Sequence, residues 1–381
     1  MGFWVEELRE EELGLEFGGA KFKSWIRLIS KRNVSAIKAI REPPSRTPLP
    51  TLPSTIFEIR SLVHLQLVGL LQCKLPSVVK GIVTLPNLKK LELGDVIWDD
   101  LQKLWALISS CPLLEVLSLG LQFYNDGVVN VNITSPVLKS LIIDHPSEVK
   151  FAIDTPMLEH LALTGRVGHY SFARYPTKLI KAELNVYVNG PFTDNEFSKI
   201  LPLIRRISGV KSLSLSIMNF FKALNSLKVD VGSIFCNLTH LRWTWPSVNN
   251  NLDVQHTLPV CLFSKIKRLE LLKMKANANN LKMLEYILSK AIVLERLHIS
   301  SGDYAYGIGH SGDVSYFVGK NKDILWWEYQ IYNTLLAAPK SSLLSDIEFV
   351  GTYIHASRDR SQNGFIVTIN SQTTSPTSTI Q

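Results

Sequence analysis

One six-residue pattern constrains this chain more than any other feature: Leu-x-x-Leu-x-Leu, seen most clearly at Leu114, Leu117 and Leu119. Residues two apart point to the same side of an extended strand, so Leu117 and Leu119 share one face. The pattern returns along most of the chain, with another apolar residue sometimes replacing a leucine. Its copies begin at Leu62, Leu88, Leu114, Leu138, Leu158, Leu179, Val210, Leu238, Ile266, Leu294 and Leu344. The first ten copies follow one another at steps of 20 to 31 residues, which is too regular for unrelated apolar segments.

A strand motif recurring at such steps predicts a leucine-rich-repeat solenoid of the α/β class. Neighbouring strands would stack into a curved parallel sheet on the concave face, with short helices and loops on the convex face. A regular repeat has Asn or Cys eight residues after its first leucine. Here Leu70, Val96 and Gln122 stand at that position, so we expect an irregular solenoid with uneven curvature.

Composition and spacing divide the chain into four predicted parts. Residues 1–20 are acidic, and we expect them to be disordered. Residues 21–255 carry the repeats, and residues 256–351 form an α/β unit that caps them. Residues 352–381 are polar and are also expected to be disordered.

Several connections between strands carry apolar residues at helical spacing. They predict helices over 101–108, from Asp194 onward, over 281–291 and over 326–338. Proline lacks the backbone donor that a helix interior needs, so Pro202 predicts a break or kink in the second of these helices.

The net charge of +8 is unevenly distributed. Residues 1–20 hold six Glu and one Arg, a balance of −5, so the rest of the chain carries +13. That excess is compatible with an acidic partner or a polyanionic ligand. No nucleic-acid-binding motif accompanies it, so nucleic acid is disfavoured as a partner. The four cysteines are widely spaced, which disfavours a metal site and a disulfide framework; we predict no metal and no cofactor.

Two sequence features bear on location. No apolar run reaches the roughly 18 residues of a membrane-spanning helix. The amino-terminal residues 1–7 are acidic, whereas a secretory signal begins with basic residues. We therefore expect a cytoplasmic or nuclear protein without a membrane partner.

The search for catalytic motifs yields one weak match, Gly-x-Gly-x-x-Gly at Gly307, Gly309 and Gly312. A dinucleotide site needs this motif between a strand and a helix. Here it falls in a Gly/Ser/Tyr-rich stretch where no helix is predicted to start. The sequence therefore predicts a protein that is not an enzyme.

The candidate binding residues flank the middle leucine of each copy, where they would face the open concave side. Three strands carry opposite charges there two residues apart, which suits a polar protein partner. The alternatives are a solvated face without a partner and a receptor for a small molecule or polyphosphate. The candidate partner-binding residues are Lys90, Glu92, His160, Lys181, Glu183, His240, Arg242, Arg268 and Glu270.

Several segments resemble a known family. Leu85-Pro86-Asn87-Leu88, Ser110-Cys111-Pro112-Leu113-Leu114 and Ser135-Pro136-Val137-Leu138 are similar to the repeats of plant F-box/FBD/leucine-rich-repeat proteins. Residues 258–299, together with residues 343–350, resemble the FBD module at the carboxyl end of these proteins. The resemblance covers roughly residues 22–350. It implies a repeat solenoid with an FBD-like cap that recruits substrates to a Skp–cullin–F-box ubiquitin ligase.

The defining piece of that family is an F-box, a helical segment with Leu-Pro near its start and a Lys-Arg-Trp-like end. Residues 1–21 do not match it. The resemblance therefore implies the substrate-facing half without the ligase-docking half. We expect an unidentified protein partner, no direct binding to the Skp adaptor, and a role as a truncated or decoy form.

Overall fold

The structure is a computed structural model, and it describes most of the chain. The described residues are 28–29, 32–40, 51–52, 54–73, 85–98, 101–121, 129–146, 148–188, 193–217, 220, 224, 234–245, 264–275, 277–301, 321–337, 346–358 and 364–369. The chain divides into two compact units, residues 1–209 (the first unit) and residues 210–381 (the second unit). The acidic residues 1–20, the predicted boundary at residue 255 and the glycine motif at residues 307–312 lie outside the described residues.

The first unit is built on a sheet of repeat strands whose neighbours all pair in parallel. In spatial order its strands are β1 (Ala36–Ile40), β3 (His64–Cys73), β4 (Lys90–Trp98), β5 (Val116–Leu121), β7 (Ser140–His145), β9 (His160–Arg166) and β11 (Lys181–Tyr187). The two-residue strand β2 (Thr51–Leu52) pairs with the end of β3. A short 3-10 helix covers Ser54–Glu58.

The register of this sheet places equivalent repeat positions side by side. Leu91 of β4 pairs with Leu65 of β3 on one side and with Leu117 of β5 on the other. Both of these leucines, and the leucine two residues after each, are buried. One strand cannot bury its apolar side alone, so stacked copies supply the core for one another. The predicted irregular leucine-rich-repeat solenoid is confirmed.

A second, three-stranded sheet in the first unit was not predicted. Strands β6 (Val129–Thr134), β8 (Val149–Asp154) and β10 (His169–Phe172) pair in parallel, in the order β6–β8–β10. They occupy the connections between repeat strands at the shortest repeat steps. A strand advances about 3.3 Å per residue, compared with 1.5 Å for a helix, so a short connection can return as a strand. Alternation such as Val-Asn-Val-Asn-Ile-Thr buries Val131 and Ile133 against the unit.

Two longer connections of the first unit are helical, as predicted. Helix α1 (Leu101–Ser109) ends just before Cys111. Helix α2 (Asp194–Arg206) contains Pro202 in its interior and continues for four residues beyond it, so the chain is not broken there. The buried apolar side chains of this helix lie on both sides of the proline, at Phe197, Ile200, Leu203 and Ile204. Their packing outweighs the lost backbone hydrogen bond.

The second unit continues the repeat pattern in parallel strands and then turns antiparallel. Its strands are β12 (Ser212–Leu215), β13 (His240–Thr244), β14 (Arg268–Met274), β15 (Arg296–Ser301), β16 (Asp346–Val350), β17 (Ile354–Arg358) and β18 (Ile366–Ile369). Helices α3 (Ala278–Lys290) and α4 (Asn321–Ala337) match the predicted ones. Strand β13 pairs directly with β14, so the sheet continues across the predicted domain boundary at residue 255.

The prediction of disorder over residues 352–381 is wrong for residues 354–358 and 366–369, which form β17 and β18. Strand β17 buries Ile354 and Ala356 within the second unit. The polar composition of this stretch gave the wrong prediction because a short strand can pack on an existing sheet with only two apolar side chains, provided that they are two residues apart.

No helix within the described ranges has both the length and the apolar character needed to cross a membrane.

Candidate functional site

The repeat strands present one buried and one open side. In β9 and β14, for example, each buried leucine alternates with a half-buried or exposed neighbour. We call the side that carries these neighbours the open face. In the first unit its two rows follow the strand register. Row one contains His64, Lys90, Val116, Ser140, His160 and Lys181; row two contains Gln66, Glu92, Ser118, Ile142, Ala162 and Glu183.

Lys90 and Glu92 lie on the open face of β4 and form the predicted pair within one strand. Lys90 Nζ is 2.9 Å from Glu92 Oε1, and His64 Nε2 of the neighbouring strand is 3.2 Å from Glu92 Oε2. Partial burial acts to raise the pKa of Glu92. The hydrogen bonds from Lys90 and His64 outweigh that effect, so its pKa lies below the usual value.

The same His–Glu–Lys arrangement recurs on the open face at β9 and β11. Lys181 Nζ is 2.6 Å from Glu183 Oε1, and His160 Nε2 is 2.9 Å from the same oxygen. The pKa of Glu183 is lowered for the same reason: burial opposes the shift, and hydrogen bonds from Lys181 and His160 produce it. All five predicted residues of the first unit therefore lie in two equivalent charged clusters.

Strands β5 and β7 lie between these clusters and carry small or apolar side chains on the open face. These side chains are Val116, Ser118, Ser140 and Ile142, and Ile142 is 36% exposed. Ser140 Oγ lies 3.2 Å from His160 Nδ1, which ties this neutral strip to one cluster. The open face of the first unit thus has an uncharged centre with charged groups on both sides.

The open face of the second unit also has two rows in register. Row one contains Ser212, His240, Arg268, Arg296 and Asp346; row two contains Ser214, Arg242, Glu270, His298 and Glu348. The remaining predicted residues, His240, Arg242, Arg268 and Glu270, all lie in these rows. Asp346 and Glu348 were not predicted, because a step of 50 residues separates the last copy of the motif, at Leu344, from the copy before it.

The predicted pair between Arg268 and Glu270 of one strand does not form. Glu270 Oε2 instead accepts a hydrogen bond from Arg242 Nε of the neighbouring strand at 2.6 Å. A guanidinium and a carboxylate that face each other across two strands can meet in good geometry, so Arg242 outcompetes Arg268. Row one then keeps Arg268 beside His240, where burial first and Arg268 second lower the pKa of the histidine.

An open depression of about 340 Å³ lies over β14, β15 and β16 of the second unit. Its polar lining comes from both rows. Arg296 Nε is 3.4 Å from Asp346 Oδ2, and His298 Nδ1 is 2.9 Å from Glu348 Oε2. The depression is open and mainly charged, which suits a side chain of a larger partner better than an enclosed apolar ligand.

Metal binding finds no support in the described part of the chain, where no three His, Cys, Asp or Glu side chains come together in a group that could hold an ion. Among the cysteines there, Cys111 is buried, Cys236 is exposed, and both are free thiols.

Comparison with known proteins gives several matches to F-box proteins of Arabidopsis thaliana. Residues 22–186 match the family model described as "FBD-associated F-box protein At5g56370, LRR repeats". The chain is 33% identical over 205 residues to the FBD-associated F-box protein At4g10400 of Arabidopsis thaliana, a match that covers 53% of this chain and 44% of that protein.

Two further relatives from Arabidopsis thaliana match over more of their length. The FBD-associated F-box protein At5g60610 is 26% identical over 292 residues, covering 66% of this chain and 71% of that protein. The putative F-box/FBD/LRR-repeat protein At1g66300 is 25% identical over 347 residues, covering 80% and 72%. This chain thus spans less than half of the first relative and about seven tenths of the other two.

Proposed function

Because this chain belongs to the plant F-box/FBD/leucine-rich-repeat family, we propose that it recognises another protein through the open faces of its two units. The observation that carries the proposal is the register of the strands. It aligns charged side chains into rows on one side of each sheet, while the other side forms the core. Rows of fixed charge suit an extended polar partner, since complementary charges set orientation and specificity.

The open face of the first unit supports this proposal further. Its neutral strip around Ile142 can take an apolar side chain, while the clusters at Glu92 and Glu183 can take polar groups on either side. A less polar centre surrounded by a polar rim is the usual anatomy of a protein interface. The role is binding rather than catalysis.

We further propose that this chain binds a substrate of a Skp–cullin–F-box ubiquitin ligase. It would either present that substrate to the ligase or act as a decoy that holds the substrate away from it. For the 381-residue polypeptide itself we expect no direct binding to the Skp adaptor, because residues 1–21 do not match an F-box. A pull-down with purified Skp adaptor tests this expectation. Robust direct binding would show that a docking surface exists elsewhere in this polypeptide.

The experiment for protein recognition is proximity labelling in plant cells, with quantitative mass spectrometry of the labelled proteins. A face variant removes both charged clusters of the first unit without changing net charge. It carries Lys90→Ser, Glu92→Ser, Lys181→Ser and Glu183→Ser. We expect the labelling of proteins that are specific to the wild-type chain to fall at least about tenfold in this variant. Hydrogen bonds to charged groups commonly contribute about 1.5–3 kcal/mol each.

The matched control variant also removes four charges from two ion pairs, but these pairs lie outside the rows. They are Lys139–Glu115 at 2.8 Å and Lys267–Glu295 at 3.0 Å. All four residues become serine. The control should keep the labelled set of the wild type. If the face variant and the control lose the same proteins, or neither loses any, the open face of the first unit is not the recognition surface.

The alternative function, a receptor for a small molecule or polyphosphate, rests on the depression that contains Arg268 and Arg296. Its formal charges argue against a polyanion, because Glu270, Asp346 and Glu348 line it as well. Thermal shift measurements with inositol hexakisphosphate test this alternative: a saturable rise in melting temperature, lost in Arg268→Gln, would favour it over protein recognition in the second unit.

A further inference from the structure

Three strands carry a cationic residue followed two positions later by Glu, but on one of these strands the glutamate pairs with a different partner. On β4 and β11 the lysine pairs with the glutamate of its own strand, at 2.9 Å and 2.6 Å. On β14 the glutamate, Glu270, pairs instead with Arg242 of β13. Arg268 therefore does not pair with the carboxylate of Glu270, two residues along its own strand.

Arg268 also lies among like charges. In the strand register it stands directly beside His240 on one side and Arg296 on the other. Adjacent strands are about 4.8 Å apart, so the two arginines emerge close together on the open face. Like charges at such distances repel, even near the surface. The arrangement therefore costs folding energy that an ion pair would normally offset.

No carboxylate of the described residues lies within ion-pair distance of Arg268. Arg296 is only weakly engaged, since its contact with Asp346 is 3.4 Å long between side chains that are 61% and 46% exposed. By contrast, Glu270 and Glu348 are held at 2.6 Å and 2.9 Å by row-two partners. The depression therefore presents two guanidinium groups with unused donors. Two of its three carboxylates, Glu270 and Glu348, are held by other side chains, and Asp346 makes only the 3.4 Å contact with Arg296.

We propose that Arg268 and Arg296 form a clamp for a single carboxylate side chain in an acidic segment of a protein partner. The inference rests on the proposed protein-binding function and deepens it by naming the chemistry that the second unit recognises. A planar guanidinium group can donate two parallel hydrogen bonds to one carboxylate. Two arginines side by side can therefore hold one carboxylate between them, each donating hydrogen bonds from its own side. The three carboxylates in the lining would repel a polyanion but tolerate one acidic side chain between the arginines.

The test begins with a display library of random twelve-residue peptides, using the full chain as bait. Wild-type chain should enrich peptides that carry Asp or Glu at one shared position. Chain with Arg268→Gln and Arg296→Gln should not. The matched control for Arg268→Gln is Lys267→Gln, which removes one positive charge from the adjacent residue. Lys267 already pairs with Glu295, at 3.0 Å. This control should enrich the same peptides as the wild type.

The decisive measurement is a double-mutant cycle on the most enriched peptide, synthesised with its acidic residue intact or changed to the amide. Dissociation constants measured by calorimetry should show a coupling of about tenfold or more between that residue and Arg268, and about twofold or less with Lys267. A second readout separates binding from structure. Arg268→Gln should leave the melting temperature unchanged or raise it, because it removes like-charge repulsion.

Each other outcome overturns the clamp. Coupling below twofold, an equal effect of Lys267→Gln, or a marked fall in melting temperature in Arg268→Gln would assign the arginine a general or structural role. Stabilisation by inositol hexakisphosphate without any enriched acidic peptide would assign the two arginines to free phosphates. If non-acidic peptides are enriched and depend on Lys90 and Glu92, the clamp fails while the proposed protein-binding function stands.

Discussion

Replacing Glu328 should release the turn that joins β16 to β17 in the second unit. The side chain is fully buried on α4. Its carboxylate accepts hydrogen bonds from the backbone N–H groups of Thr352, Tyr353 and Ile354, at 2.6, 2.8 and 2.9 Å. Ser301 Oγ donates a fourth at 3.0 Å. One acidic side chain therefore satisfies three consecutive backbone donors of a segment whose composition suggests disorder.

The magnitude follows from these contacts. A hydrogen bond to a charged group contributes roughly 1.5–3 kcal/mol, and a buried donor left unpaired costs about 1–3 kcal/mol. Only the Ile354 N–H is fully buried; Thr352 is exposed and can turn to water. We therefore expect Glu328→Gln, which keeps one acceptor and introduces two donors, to cost about 2 kcal/mol in the free energy of opening the turn. Glu328→Ala should cost about 4 kcal/mol, in the range for breaking a buried charged network.

The assay is hydrogen exchange followed by mass spectrometry on peptides covering residues 346–358. At 1.4 kcal/mol per factor of ten, amide hydrogens 352–354 should exchange about 30-fold faster in Glu328→Gln. Amides of β13 and β14 should keep their wild-type rates. The control is Glu285→Gln, on the exposed side of α3, which should change nothing. Unchanged exchange at residues 352–354, or an equal increase throughout the second unit, would refute the anchoring role of Glu328.

Three further predictions concern single sites in the first and second units. Gly165→Ala should destabilise the first unit by about 3 kcal/mol or more in urea unfolding, because Gly165 has a φ of +139° and a methyl group there would overlap a backbone carbonyl of the neighbouring strand. Glu148→Gln should cost about 1 kcal/mol at pH 7, because a hydrogen bond from Lys199 at 2.9 Å lowers the pKa of Glu148 below its usual 4.5. That contribution is present above pH 4.5 and disappears as the pH falls through the lowered pKa of the folded protein, so the stabilities of the two proteins should converge in unfolding experiments as the pH is taken below 4.5. Burial raises the pKa of Cys111 to about 12, so iodoacetamide at pH 8 should label the exposed Cys236 and leave Cys111 unmodified until the chain is denatured, as read by peptide mass spectrometry.

Each of these predictions has a result that contradicts it. Gly209→Ala is the control for the glycine, because a methyl group there meets no atom within 4 Å. Equal stability of the two alanine variants would show that the sheet adapts to the added methyl. A stability difference between the wild type and Glu148→Gln that does not shrink at any acidic pH at which the protein stays folded would mean that packing, not charge, makes the contribution of Glu148. Rapid labelling of Cys111 in the native chain would show that its surroundings open readily.

The repeat strands and the helices could be predicted because their signals are local. Leucines two residues apart mark a strand with one buried side, and the return of the motif every 20 to 31 residues shows which strands are equivalent. The same alternation identifies the side chains on the open face, so all nine predicted partner-binding residues lie in its rows. Helix α1 was also predictable, since its apolar spacing and the following Pro112 mark both its face and its end.

The sequence by itself thus determined the repeat architecture and the side chains that each strand exposes. Only the tertiary structure decided which exposed charges meet. Arg268 and Glu270 are two apart in sequence, as are Lys90 and Glu92, yet Glu270 bonds across the sheet to Arg242. Likewise, the backbone N–H of Ile354 donates a hydrogen bond to Glu328, which lies 26 positions earlier in the chain, and the polar composition of the tail does not indicate this contact. Local periodicity follows from the geometry of one strand or helix, whereas the choice of ion-pair and hydrogen-bond partners depends on distances that exist only after strands and helices have packed together.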